Sequence, residues 1–268
     1  MNARARVEAV GIVPTVLCIH SFSSSAVQYQ ALAQRLGPRF RVLAGDLYGH
    51  GKSPAWPQGQ SFALADEAAR LQALLPEDGP VHLVGHSYGA AVALRIAAAN
   101  RARVRSMALY EPASWGTLSQ LRPHDAATRE IEAVRDDTIR LIDGDRLEAA
   151  TERFIDYWGG PGSWAGVAEA RRPRLLATVR SLRAAWIATF EERWPLDALG
   201  ALDAPCLLLS GTRSTAAARC AVDLLHDTLP GATVLRIDGV GHLGPLTDPD
   251  TVDAAIEDHL LSVTRRLS

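Results

Sequence analysis

One five-residue segment constrains this chain more than any other feature. Gly85–Gly89, of sequence GHSYG, follows an apolar run typical of a strand and precedes an alanine-rich run typical of a helix. A serine on so sharp a turn leaves no room for side chains two residues away, which explains both glycines. The helix start supplies N–H groups that favour developing negative charge. The segment predicts that Ser87 is a nucleophile, and we predict only a packing role for His86.

Short apolar runs alternate with amphipathic helical patterns along most of the chain, which indicates βα units around a parallel sheet. The predicted strands are Thr15–His20, Phe40–Asp46, Val81–Gly85, Val104–Tyr110, Cys206–Gly211 and Thr233–Ile237. The predicted helices are Val27–Leu36, Leu64–Leu75, Tyr88–Asn100, Thr215–Leu229 and Thr251–Val263. From Pro112 to about Gly200 there are helical patterns and tryptophans but no convincing strand. We therefore expect a core domain of residues 1–111 and 201–268, with a helical cap of residues 112–200 inserted after the strand that ends at Tyr110.

A histidine follows the last predicted strand, in the glycine-rich segment Asp238–His242. Imidazole suits general-base catalysis because its pKa lies near neutral pH. The nucleophile also precedes this histidine in the chain, as a strand–turn–helix serine site of this kind requires. We predict that His242 is the base, and that His124, His226 and His259 are ordinary surface residues.

A further segment resembles a motif of a known protein family. Asp46–Ser53, of sequence DLYGHGKS, resembles the D-x-x-G-x-G-x-S turn of α/β-hydrolases. With His20, the serine turn, Glu111 and Gly241-His242, the resemblance covers residues 14–111 and 205–262. It implies the α/β-hydrolase fold: a mostly parallel central sheet flanked by helices, with a helical cap. The cap segment 157–164 and the serine-rich loop 21–25 are similar to a group of bacterial α/β-hydrolases.

The acidic partner of the histidine departs from the family's usual pattern. Most α/β-hydrolases place it shortly after the strand predicted at Cys206–Gly211, where this chain has Ser214. Some, including certain haloalkane dehalogenases and lactonases, take it from the preceding strand end, which is Glu111 here. Glu111 follows Ser87 by one helix and one strand, so both belong at the same sheet edge. We expect Glu111 to be the acid and Ser214→Ala to have little effect; the alternative is that Glu111 is an exposed strand-end residue.

The resemblance also implies an oxyanion hole, a pair of backbone N–H donors for the charged oxygen of the reacting group. The family's usual His-Gly-x motif corresponds to His20-Ser21-Phe22 in this chain. The implied donors are the N–H groups of Phe22 and Tyr88. Ser21 replaces a glycine, so the sequence leaves the loop's backbone geometry open.

These residues predict a serine hydrolase that cleaves a carboxylic ester or a lactone through an acyl-enzyme. A serine nucleophile argues against haloalkane dehalogenases and epoxide hydrolases, which use aspartate in this fold. Two alternatives stay open: a carbon–carbon bond hydrolase with the same triad, and a non-catalytic ligand-binding homologue. Aromatic residues in the cap favour a small-molecule substrate with an apolar portion, although ordinary packing would also explain them. The candidate substrate-binding residues are Ser21, Trp115, Tyr157, Trp158, Trp164 and Leu243.

Composition excludes several other functions. The formal net charge is −2 without blocks of like charge, which argues against nucleic acid or an anionic membrane as a partner. No apolar run approaches the ~18 residues of a membrane span, and no cofactor or metal motif occurs, so we expect neither. Three cysteines without close spacing predict buried free thiols and a cytoplasmic location. Arginines precede an N-terminal apolar stretch ending at Ile19, but Glu8 and Pro14 interrupt it, so we predict strands there rather than a signal peptide.

Overall fold

A single parallel sheet organises the molecule. The computed structural model describes residues 13–57, 60–192, 194 and 196–267. Residues 1–12, which belong to the predicted core domain and include the beginning of the predicted N-terminal strands, lie outside the described residues. All five neighbouring strand pairs are parallel, in the order β2-β1-β3-β4-β5-β6. The strands are β1 Thr15–Ile19, β2 Arg41–Gly45, β3 Val81–His86, β4 Val104–Tyr110, β5 Cys206–Gly211 and β6 Ala232–Ile237. This confirms the predicted fold class.

Helices connect the strands and cover both faces of the sheet. The α-helices are α1 Gln30–Leu36, α2 Leu64–Gln72, α3 Tyr88–Ala99, α4 Trp115–Leu121, α5 Ala126–Asp143, α6 Leu147–Gly159, α7 Arg172–Glu191, α8 Leu196–Gly200, α9 Ala216–Thr228, α10 Gly244–Thr247 and α11 Pro249–Leu267. Short 3₁₀ helices occupy Ala26–Tyr29, Gly37–Arg39 and Glu169–Arg171. The helices predicted from periodicity correspond to α1, α2, α3, α9 and α11.

Continuous apolar runs explain why the central strands of the sheet are buried on both faces. Leu17 and Ile19 of β1 pack with the cluster that includes α2, α3 and α9, while Val16 and Cys18 pack with the cluster of α1 and α11. Successive residues of a strand point to opposite faces, so a fully apolar strand requires a helical layer on each side. The core therefore lies in two layers, one on either side of the sheet.

The insertion between β4 and β5 contains helices α4 to α8, and its described residues include no strand. All five tryptophans of this region are buried: Trp115, Trp158, Trp164 and Trp186, which were predicted either to bind substrate or to pack, and Trp194. A helical insertion therefore follows β4. No helix in the described part of the chain is long and apolar enough to cross a membrane.

The cysteines correct one detail of the sequence interpretation. Cys18, Cys206 and Cys220 are free, and the first two are buried, but Cys220 in α9 is only half-buried. Its helix lies at the surface and presents one side to solvent, which the surrounding apolar residues did not indicate.

Candidate active site

Ser87 lies on the turn between β3 and α3 in a conformation that few side chains adopt. Its φ is 54° and its ψ is −117°, so its backbone is strained. A Cβ at Gly85 would lie 2.5 Å from the Ala90 Cα, and one at Gly89 would lie 2.3 Å from the Ile19 carbonyl oxygen. Both contacts are with backbone that cannot move aside. The two glycines are therefore required for the strand and helix to approach closely enough to hold Ser87 on this turn.

The structure brings the three predicted catalytic side chains into one hydrogen-bonded series. The Ser87 hydroxyl lies 2.9 Å from Nε2 of His242. On the other side of the ring, Nδ1 lies 2.7 Å from Oε2 of Glu111. Because a carboxylate only accepts, Nδ1 carries the proton and Nε2 is free to accept from the serine. All three residues are buried, and each follows the carboxyl end of a parallel strand.

Glu111 is an anchored carboxylate rather than an exposed strand-end residue. It is completely buried, and its Oε1 accepts hydrogen bonds from the Ser210 hydroxyl at 2.7 Å and the Gly211 N–H at 2.9 Å. Burial opposes ionisation, but hydrogen bonds from His242, Ser214 and Ser210 outweigh it and hold the pKa of Glu111 below its usual value. The carboxylate therefore stays charged beside the imidazole.

Ser214 has a place in the site that the sequence analysis did not predict. Its buried hydroxyl donates a hydrogen bond to Oε1 of Glu111. Ser214 occupies the position at which most α/β-hydrolases have their acid. The side chain at that position therefore still contacts Glu111, the carboxylate that is hydrogen-bonded to His242. The signal in the sequence was the position itself, together with Ser210 one strand residue before Gly211.

The loop after β1 has its special backbone conformation at Ser23, not at Ser21. Ser23 has a φ of 63°, and its N–H donates to Nε2 of His50 at 3.0 Å. Ser21 is outside the left-handed region, so a serine fits there without the strain that its replacement of glycine suggested. Phe22 and Tyr88, whose N–H groups we predicted as oxyanion donors, both line the same cavity as Ser87.

A narrow apolar cavity adjoins Ser87. Eight of its lining residues come from the cap, and the larger ones are Trp115, Phe154, Trp158, Leu182 and Trp186. Its volume of about 20 Å³ holds about one water molecule. A substrate can therefore enter only when the cap side chains move.

The cavity includes two of the six predicted substrate-binding residues, Trp115 and Trp158, and leaves out the others. Tyr157 turns away and donates to Oε1 of Glu130 at 2.7 Å, while Trp164 lies under the guanidinium of Arg172. Ser21 and Leu243 also lie outside the lining of this cavity. For Tyr157, the separation from the cavity reflects helical periodicity, because Tyr157 and Trp158 are adjacent on α6 and face different directions.

Helix α7 supplies lining residues that the sequence analysis missed. They share a spacing of three or four residues along one face of the helix, which was the signal available in the sequence: Leu182, Ala185, Trp186 and Thr189. Phe154 of α6 was also missed. In the described ranges, no group of three or more histidine, cysteine or acidic side chains could hold a metal ion.

Comparison with known proteins identifies the family and several relatives. The sequence model of the "Alpha/beta hydrolase family" matches residues 16–255. The chain is 28% identical over 266 residues to a pimeloyl-[acyl-carrier protein] methyl ester esterase of Chromobacterium violaceum, covering 95% of this chain and 97% of that protein. It is 26% identical over 251 residues to an N-formylmaleamate deformylase of Pseudomonas putida, covering 91% and 88%. A thermophilic esterase structure from Thermogutta terrifontis superposes with a TM-score of 0.71 at 25% identity, covering 93% and 90%.

Proposed function

The chain belongs to the alpha/beta hydrolase family, and on that premise we propose that it is a serine hydrolase that cleaves a carboxylic ester or a lactone. Ser87 is the nucleophile, His242 the general base and Glu111 the acid that orients the base. The observation that carries the proposal is the unbroken series of hydrogen bonds from the serine hydroxyl through the imidazole to a buried carboxylate. Such a series activates a hydroxyl that is otherwise a weak nucleophile at neutral pH.

In the first half-reaction, the Ser87 oxygen attacks the carbonyl carbon of the substrate while Nε2 of His242 takes the hydroxyl proton. The tetrahedral intermediate has its negative charge on the former carbonyl oxygen, next to the N–H groups of Phe22 and Tyr88. His242 then gives the proton to the leaving alcohol oxygen as the carbon–oxygen bond breaks. The imidazolium formed on the way is stabilised by the charge of Glu111.

In the second half-reaction, a water molecule replaces the alcohol. His242 takes one proton from this water as its oxygen attacks the acyl carbon, and returns the proton to Ser87 when the ester bond to the enzyme breaks. The products are a carboxylic acid and free enzyme. With a lactone, the alcohol and acid remain in one molecule.

The apolar lining of the cavity supports a substrate with an apolar portion. Aromatic and aliphatic side chains surround Ser87 on the cap side, and such surfaces bind hydrocarbon rather than charged groups. The relatives named as esterases support the same class of reaction. Cleavage of a small ester with an apolar acyl group fits both observations.

Labelling with a fluorophosphonate tests the proposal directly. We expect the wild-type protein to gain one phosphonyl group on Ser87, detected by intact mass and peptide mapping, and the Ser87→Ala variant to gain none. Wild-type protein should also release p-nitrophenol from p-nitrophenyl butyrate. If a folded wild-type protein neither labels nor turns over such esters, the chain is a binding protein rather than a hydrolase.

A further inference from the structure

A chain of polar side chains joins the two loops that flank Ser87. Oε1 of Gln28 accepts from the N–H and the hydroxyl of Ser21, each at 3.3 Å. Nε2 of Gln28 donates to Nδ1 of His86 at 3.2 Å. Nε2 of His86 lies 2.9 Å from the backbone carbonyl oxygen of His242. This series of hydrogen bonds therefore extends from the loop after β1, which contains Phe22, to the loop that contains His242, the proposed base.

The direction of each hydrogen bond follows from the chemistry of its atoms. The His242 carbonyl can only accept, so Nε2 of His86 carries a proton. Nδ1 of the neutral His86 ring is then an acceptor, which the amide N–H₂ of Gln28 satisfies. His86 is completely buried, and burial together with the neighbouring His242 lowers the pKa of His86 to about 3. A neutral ring with one proton thus serves both neighbours, and the amide of Gln28 both accepts from Ser21 and donates to His86.

We propose that Gln28 and His86 are positioning residues that hold the base loop and the loop after β1 in one fixed relation across Ser87. This inference rests on the proposed hydrolase function. The base loop has a second anchor, because the Tyr110 hydroxyl donates to the Gly241 carbonyl oxygen at 2.7 Å. Two successive carbonyls of the loop are therefore held by side chains of the sheet, and the imidazole of His242 is aimed at Ser87 by backbone that cannot rotate freely.

Substituting Gln28 by glutamate changes only the hydrogen bond to His86 and keeps those from Ser21. A carboxylate at position 28 still accepts from Ser21, but it offers His86 no proton. The ring then has one proton for two acceptors, the carboxylate and the His242 carbonyl, and one contact is lost. One added proton, on either the carboxylate or the ring, restores both contacts. The other titratable groups that act on His86 or line the small cavity beside it are His20, Tyr29, Tyr110, Glu111, His242 and Asp253.

The test compares Gln28→Glu, Gln28→Met and the control Gln30→Glu, which changes an exposed glutamine of α1. The kcat for p-nitrophenyl butyrate and the rate constant of fluorophosphonate labelling are measured from pH 4.5 to 9, so that the range reaches close to the ordinary pKa of a glutamate, about 4.3. Loss of the contact should lower kcat by about 3- to 10-fold in Gln28→Met at every pH, with little change in KM. The activity of Gln28→Glu relative to wild type should rise at least about 3-fold as the pH falls across this range, and Gln30→Glu should match wild type throughout.

The pH dependence distinguishes loss of the hydrogen bond to His86 from a change in side-chain shape. A change in shape alone would give a ratio of Gln28→Glu activity to wild-type activity that is the same at every pH. Wild-type kcat in Gln28→Met, or a flat ratio for Gln28→Glu, would overturn the inference while leaving the hydrolase function intact. Absence of labelling and turnover in the wild type would overturn both. If Gln28→Met fails to fold, the Gln28→Glu profile decides alone, since that substitution conserves size and the Ser21 contact.

Discussion

The indole ring of Trp158 stacks on the imidazole of His242. The ring centroids are 3.9 Å apart and the planes differ by 29°. Trp158 belongs to cap helix α6, and it also stacks with Trp115 at a centroid distance of 5.9 Å. The cap therefore contacts the proposed base directly, and one side chain both lines the cavity and stacks on the imidazole.

Removing this ring should slow the chemistry. A positive charge forms on His242 when it takes the serine proton, and an aromatic face attracts a cation by about 0.5–2 kcal/mol. We expect Trp158→Leu to lower kcat by about 2- to 30-fold, measured with p-nitrophenyl butyrate. Trp164→Leu removes another buried cap tryptophan that does not line the cavity and should retain kcat; equal losses in both variants, at matched thermal stability, would argue against the stacking role.

Glu111 should be the acid on which activity depends. Its removal leaves the imidazole without the charge that orients it and stabilises its protonated form, so we expect Glu111→Ala to lower kcat by about 10²–10⁴-fold. Asp238→Asn is the matched control, because Asp238 is an exposed acid on the base loop that only accepts from the Thr212 hydroxyl. Steady-state kinetics on both variants check this, and full activity in Glu111→Ala would refute the assignment.

Ser214→Ala should have a measurable effect, contrary to the expectation from sequence alone. The substitution removes one of three donors to Oε1 of Glu111, and the Ser210 and Gly211 donors remain. We expect kcat to fall by about 3- to 10-fold, on the order of 1 kcal/mol. Thr233→Val, which deletes an exposed hydroxyl of β6, provides the comparison, and a kcat for Ser214→Ala as high as that of Thr233→Val would show the contact to be dispensable.

Glu67 should make stability depend on pH. This carboxyl of α2 is buried and accepts from the Tyr48 N–H at 3.0 Å; burial raises its pKa to about 7. Because the folded state holds the proton more tightly than the unfolded state, the wild type loses stability as the pH rises from about 4.5 through about 7. Glu67→Gln keeps the acceptor without the charge, so it should exceed the wild type by on the order of 2–3 kcal/mol at pH 8 and by little at pH 5.

Urea unfolding at the two pH values measures this difference. The exposed Glu77→Gln serves as the control and should follow the wild type at both. A Glu67→Gln advantage that is equal at pH 5 and pH 8 would mean that ionisation of this group does not cost stability.

The sequence alone determined the strands and the positions of Ser87 and His242, because local signals specify them. The glycines around Ser87 are required by contacts at the turn itself, and apolar runs specify buried strands wherever they occur. Parallel strands then place their carboxyl ends at one edge, which was enough to predict that Glu111 lies near both residues.

Only the tertiary structure decided which side chains support the hydrogen-bonded series of Ser87, His242 and Glu111. Ser214 meets Glu111 across 103 residues, Gln28 meets His86 across 58, and Trp158 reaches His242 from the cap. Such contacts depend on the angles at which α6 and the loops pack, to within about an ångström. Periodicity shows which face of a helix is apolar, but it does not show which neighbour that face meets, because the packing of distant segments is settled jointly by all of them.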